Sequence, residues 1–405
     1  MKRSIIPGFV TALAACLLLA GGCVKSHPRP GPPQPVAPEA LDGAIKRGTD
    51  FLLARQNRNG SWGSPRNTKG SNIYAPVPSA HHGFRVAVTS LCVSALIEAG
   101  GTSPAVTKSI ERAEAYLAEN LPKLKRDALR ALYNNWAHAY GLSALVRMYN
   151  RLPDDKPRRE QILKLADGQI DLLKRFEALG GGWGYYEFSY HTQRPFAMTT
   201  SFMTATVLIS LTEAQSIGVD VPQTMIDRAK ARIVNQQNPN FTYLYRRGYT
   251  TRRAAGINLP AGSLGRSQVC NLALRLSDDK RITDEVLKTW LDWLCARNGW
   301  LSRARKFPRP HESWFGVAAY FYYYGHFYAA GCIEQLPPEQ QSFYQDHLAG
   351  ILMPLQEKDG SWWDFPFYDY HQQYGTAMAI MSLHRCQHRV PQTTTVTSTR
   401  QGSSR

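Results

Sequence analysis

QNRNGSW at residues 56–62 and QEKDGSW at residues 356–362 are two copies of one signal: a glutamine, a glycine four residues on, and a tryptophan two further. Gly60 and Gly360 suit a turn with positive φ, which glycine adopts without steric cost. Trp62 and Trp362 each offer a large apolar plate to close the end of a hairpin. Partial copies recur as GGGW, ending at Trp183, and RNGW, ending at Trp300; Glu177 and Gly181 keep the spacing before Trp183. The four tryptophans are separated by 121, 117 and 62 residues. These are two, two and one multiples of about sixty, the mark of an internal repeat. The missing beats fall where Leu121-Pro122 and Phe241-Thr242-Tyr243 stand. The chain reads as six units.

Within a unit, an amphipathic segment precedes an uncharged one. Residues 42–56 place Ile45, Gly48, Phe51 and Leu52 on one face and Lys46, Arg47, Asp50 and Arg55 elsewhere, a helix with one wet side. Residues 86–97 carry no charge, so a helix there is buried all round. The contrast repeats at 159–176 with 196–211 and at 343–356 with 372–383. Residues 313–333 form another uncharged stretch, read as the fifth inner helix. Charged outer helices alternating with apolar inner helices predict an all-α fold, an α/α toroid of six helical hairpins in two concentric rings.

The Gln-x3-Gly-x-Trp pattern of Gln56, Gly60, Trp62 and of Gln356, Gly360, Trp362 resembles the QW repeat of squalene and oxidosqualene cyclases, whose toroid is shared by protein prenyltransferase β subunits. The resemblance spans roughly 42–388 and implies the fold. It does not bring the family's chemistry. The Asp-x-Asp-Asp acid that protonates an alkene in squalene cyclases is absent; the nearest strings, 152–155 and 276–279, lack the first Asp. The Asp-Cys-Thr-Ala-Glu acid of oxidosqualene cyclases and the Asp-x-Cys zinc ligands of prenyltransferases are also missing. Asp369-Tyr370-His371 resembles the prenyltransferase Asp-x-Tyr-His stretch, but one ligand of three is no zinc site. No metal or cofactor is expected.

Lys2 and Arg3, an apolar run from Ile5 to Leu19, and Ala20-Gly21-Gly22 before Cys23 have the layout of a secretory signal. The stretch resembles a bacterial lipoprotein signal, which implies cleavage after residue 22 and lipid on Cys23. Val24, in place of Asp, points to the outer membrane, facing the periplasm. Residues 23–41 read as a proline-rich tether, 42–388 as the toroid, and 389–405 as a disordered tail. The formal net charge of +17 concentrates in the fourth and fifth units. In this compartment it points to anionic surfaces, not to nucleic acid. Cys92, Cys270, Cys295, Cys332 and Cys386 show no framework spacing and read as small hydrophobes. A protein partner remains an open expectation beside the membrane and an anionic or amphiphilic ligand.

Inner helices that all point one way bring their N-termini to one mouth. His81, His82, His138, His191, His311 and His371 fall near those starts, with Glu312 and Asp369. His371, Asp369, His311 and Glu312 are the candidate acid–base groups. His81, His82, Arg85, Tyr186, Trp314 and Tyr374 are the candidate ligand contacts, a polar and basic rim over an aromatic cup. Two functions compete: a toroid that binds a ligand or protein at this mouth without terpene cyclisation, and a transferase, lyase or isomerase acting on an isoprenoid or glycan through the rim.

Overall fold

The computed structural model describes residues 27–70, 73, 75, 78–187, 198–246, 248, 253 and 255–387. Expectations for the signal, Cys23, His191 and the tail lie outside them. Twelve helices carry the fold: α1 (Pro38–Arg55), α2 (Ser79–Ala99), α3 (Pro104–Asn120), α4 (Asn134–Arg151), α5 (Lys156–Phe176), α6 (Ser201–Ser216), α7 (Gln223–Asn235), α8 (Pro260–Leu276), α9 (Asp284–Ala296), α10 (Tyr322–Glu334), α11 (Pro338–Leu352) and α12 (His371–Arg385). The even-numbered helices are buried on nearly every face; the odd ones bury a stripe. Each even helix packs against the next, and α12 packs back against α2, so the inner ring closes. The odd helices pack outside it: α3 on α2, α5 on α4, α7 on α6, α9 on α8, α11 on α10 and α12, α1 on α12 and α2. One helix among the described residues, α2, is long and apolar enough to cross a membrane; its place in the inner ring accounts for that composition.

The repeated turn does the stapling. The indole N–H of Trp62, Trp183 and Trp362 donates to the carbonyls of Leu52, Leu173 and Leu352 at 2.8, 2.8 and 2.9 Å. Their backbone N–H groups donate to Thr89, Thr204 and Thr376 hydroxyls on the inner helices. All three rings are fully buried. The fourth unit repeats the turn in other residues. QNPNFTY at 237–243 places Phe241 at φ 58 where the other turns have glycine. Tyr243 stands for the tryptophan, its N–H donating to Ser263. In the second unit, fully buried Leu121 packs against Gly141. Trp300 departs from the pattern: it lies half-buried on a helical turn, Gly299–Ser302, stacked on Trp293 at 5.1 Å.

Two boundaries differ from expectation. α1 starts at Pro38, inside the expected tether, because proline at the first helical position loses no hydrogen bond. The fifth inner helix starts at Tyr322, not at residue 313. Glu312 captures the N–H groups of Trp314, Phe315 and Val317 at 2.7, 2.6 and 3.1 Å, and Gly316 takes φ 68. That knot of bonds holds the chain out of helix until the short 3-10 turn Ala319–Phe321.

Candidate functional site

A cavity of about 370 Å³ opens inside the inner ring. Its walls come from the N-terminal portions of the inner helices: Phe84 and Val88 of α2, Trp136 and Tyr140 of α4, Phe202 of α6, Tyr320 and Tyr324 at the start of α10, Tyr374 and Met378 of α12. That common end shows the inner helices to run parallel, with their N-termini around one mouth. Most lining residues are aromatic, and no carboxylate, lysine or arginine is among them. The tyrosine hydroxyls bond one another: Tyr133 with Tyr186, Tyr185 with Tyr245, and Tyr245 with Tyr320 at 3.1 Å. Paired hydroxyls leave the ring faces for a ligand, and those faces suit apolar groups and cations alike.

Below, Tyr324 and Tyr328 bond Thr206 at 2.8 and 3.3 Å and form the floor. A second cavity of about 240 Å³ follows, lined by Arg147, Glu213, Glu334 and Arg385 from the C-terminal ends of the inner helices. Arg147 pairs with Glu98 at 2.5 Å, and Arg385 with Glu98 and Glu334 at 3.5 and 3.6 Å. The helix dipole favours cations at these C-termini, and the carboxylates pair them, so this end is a paired plug.

The expected rim is dispersed. Of the six ligand candidates, Tyr186 and Tyr374 line the cavity, joined by His311 at its mouth. His81 is buried beside Tyr368 and Tyr370 and bonds the Tyr370 hydroxyl at 3.4 Å. His82 is half-buried and turns toward Asn120. Arg85 bonds Tyr116 and Tyr370. Trp314 is 72% exposed under the Arg303 guanidinium. Among the acid–base candidates, Glu312 is spent on backbone N–H groups. Asp369 accepts from Ser64 at 2.9 Å and pairs with Arg66 at 3.9 Å. His371 bonds the Tyr368 carbonyl at 2.7 Å against Trp363. His138 faces outward between the rings, bonded to Gln169 of α5 at 2.8 Å. Burial lowers the pKa of His81, His82, His311 and His371, which shifts each toward the neutral imidazole and away from a cationic rim. Among the described residues no cluster of His, Cys, Asp and Glu could hold a metal.

A carboxylate that sequence reading passed over lies closer to the cavity. Asp364 is fully buried, accepts the Tyr374 hydroxyl and, at 3.1 Å, the Tyr323 N–H. Desolvation pushes its pKa up to about 7. Arg266 also approaches, its guanidinium over the Tyr245 and Phe321 rings at 5.3 and 5.7 Å while it donates to three backbone carbonyls. The aromatic stripe itself had a signal. Phe84 with Val88, Trp136 with Tyr140, Tyr320 with Tyr324 and Tyr374 with Met378 are all four residues apart, one helix face.

No protein-family model and no curated protein matches the chain. Solved structures do. Cellobiose 2-epimerase from Spirochaeta thermophila aligns over 83% of this chain and 92% of its own, at TM-score 0.54 and 14% identity. The GH76A alpha-1,6-mannanase of Salegentibacter aligns over 86% and 100%, at 0.52 and 10%. The type II terpene cyclase MstE of Scytonema aligns over 86% and 98%, at 0.48 and 13%. The chain has the α/α toroid fold, and the likeness to the epimerase and the mannanase extends to fold alone.

Proposed function

We propose that this chain is a lipid-anchored toroid of the bacterial envelope that holds the apolar body of an amphiphile in its central cavity, without terpene cyclisation. The observation that carries the reading is the lining: aromatic faces, hydroxyls paired with one another, and no carboxylate. Such a surface rewards apolar contact and offers a sugar few free polar partners. The carboxylates expected to act as an acid, Glu312 and Asp369, are occupied by structural bonds. Basic residues in the surrounding loops favour an anionic head group. The test is calorimetry with an anionic amphiphile and a neutral analogue of equal chain length. Tighter binding of the anion, weakening with salt, supports the reading; equal affinity removes the head-group preference, and no binding of either defeats the reading.

One observation favours an enzyme instead. Asp364 and Tyr374 form a buried pair whose phenol faces the cavity, a proton source with a path to a bound ligand. If this pair works, Asp364→Asn abolishes turnover of a cavity ligand and leaves its affinity nearly unchanged. Hopene-type products from squalene, lost in that variant, would establish cyclisation.

A further inference from the structure

We propose that the mouth face of the toroid lies on an anionic phospholipid bilayer, the one holding the lipid of Cys23, with Trp314 and Phe307 seated among the head groups. The anchor belongs to the tethered-toroid reading above; the surface is argued from three observations of its own.

The first is where apolar side chains are exposed. Trp314 (72%), Leu129 (63%), Leu179 (54%), Leu259 (46%) and Phe307 (36%) are the large exposed hydrophobics among the described residues. Each lies in a connection that runs from an outer helix into an inner one. Those connections all sit at the inner-helix N-termini, around the mouth. The connections at the opposite end contribute none. Aromatic rings with a polar edge settle at the head-group level of a bilayer.

The second is charge. The connection holding Phe307 and Trp314 also carries Arg297, Arg303, Arg305, Lys306 and Arg309, against one buried acid, Glu312. The opposite connections carry Asp154, Asp155, Asp220, Asp278 and Asp279, with Lys280 and Arg281. A basic, apolar-tipped face opposite an acidic one fits anionic lipid, whose surface potential attracts each nearby Lys or Arg.

The third is the N-terminal strap. α1 begins at the end opposite the mouth, since outer helices run antiparallel to inner ones. Traced backward from Pro38, Val36 packs against the core. The Gly31 carbonyl then bonds His347 of α11 at 2.9 Å, and His27 bonds Asp292 of α9 at 3.1 Å. Tyr344 holds the other Asp292 oxygen at 2.8 Å. Both anchor points lie in the C-terminal halves of outer helices, toward the mouth. The strap therefore climbs the outer wall. Cys23 is four residues beyond His27, at most about 14 Å of extended chain. A lipid on Cys23 would thus be within reach of the membrane that the apolar face meets. A ligand held in that membrane then enters the cavity without crossing water.

The experiment uses the mature chain, residues 23–405 with Cys23→Ser, which carries neither lipid nor the apolar signal, and vesicles of phosphatidylcholine with or without phosphatidylglycerol. Sedimentation should show binding to the anionic vesicles, weakened by salt. Trp314→Ala with Phe307→Ala should weaken it at least tenfold, with an unchanged thermal melt. In the lipidated protein, an environment-sensitive dye on Trp314→Cys should shift blue on vesicles, and one on Asp220→Cys should not. Equal binding to both vesicle types, no loss in the double variant, or a blue shift at position 220 overturns the proposal. Mass spectrometry of the wild-type N-terminus judges the anchor separately: an unacylated chain refutes the tether and leaves the vesicle result standing on its own.

Discussion

Trp62 is fully buried with its indole nitrogen bonded to the Leu52 carbonyl, whereas Trp300, whose glycine immediately precedes it instead of standing two residues back, rests half-buried on Trp293. The residue type was legible in both; the difference lay in whether an outer-helix carbonyl waits for the indole. Trp62→Ala or Trp362→Ala should cost about 3–5 kcal/mol, as for other buried large-to-small changes, and Trp300→Ala under about 2. Chemical denaturation of the three variants checks this ranking. Asp364 was invisible for the opposite reason: a single Asp in WWDFPF carries no motif, and its chemistry comes from burial. Its folded pKa, about 7, stands above that of an unfolded Asp. The folded state therefore holds the proton more tightly, and stability is lost as pH rises from about 4 through about 7. Buried His138 works the other way: its pKa is lowered to about 4, so it costs stability as pH falls below about 6.5. Thermal melts of Asp364→Asn should show a smaller decline on the alkaline side, the remainder coming from Asp127, which burial also raises to about 7, and keep the acid one. A variant with the wild-type profile would show that Asp364 is ionised throughout.

At the scale of elements, the alternation of wet and dry helices was readable where the inner segment is uncharged, as at 86–97 and 372–383; α4 and α8, which carry Arg147, Arg151, Arg266 and Arg275, gave no such contrast. Starts were harder to read. The fifth inner helix was read from its lack of charge, and composition cannot report that Glu312 binds three backbone N–H groups first. The fourth turn hid because Phe241 and Tyr243 replace glycine and tryptophan while the asparagine bonds are conserved: Asn59 holds Ser61 as Asn240 holds Thr242. The glycine turns are the strictest positions. A Cβ on Gly60 would sit 2.2 Å from the Arg112 carbonyl oxygen, at φ 88. Backbone cannot yield as a flexible side chain would, so Gly60→Ala should cost at least about 2 kcal/mol. Gly168, inside α5 with nothing within 4 Å, is the control. Gly168→Ala should stabilise by about 0.4–1 kcal/mol by restricting the unfolded chain.

For the whole molecule, the repeat also closes the ring. Gln56 ties its turn to Ser109 and Arg112 of α3, the next outer helix. Gln356 makes the same bonds to Ala44 and Arg47 of α1, across more than 300 residues of chain. The glutamines flagged as repeat markers are thus joints between units. Gln356→Ala should cost about 1 kcal/mol, since it removes part-buried amide bonds to the Ala44 and Gly360 carbonyls while exposed Arg47 turns to water. The cavity was only partly legible. Its existence followed from the toroid, and pairs four residues apart such as Trp136 with Tyr140 and Tyr374 with Met378 mark part of the stripe that faces the axis, but inner helices apolar on most sides leave the rest without contrast. Histidines were the visible polar residues there, and among the described ones His81, His138 and His371 are buried in the walls. The central claim is that this axial space receives a ligand's apolar body. Ala87 lines it, and Ala87→Phe would fill it without touching the staples. The most direct measurement is calorimetric titration of a twenty-carbon isoprenoid alcohol into the wild type and Ala87→Phe, with mannotriose in parallel. The wild type should bind the alcohol, the filled variant should lose it, and the sugar should give no heat; equal alcohol binding by both proteins, or a preference for mannotriose, would show that the axial space does not receive an apolar body.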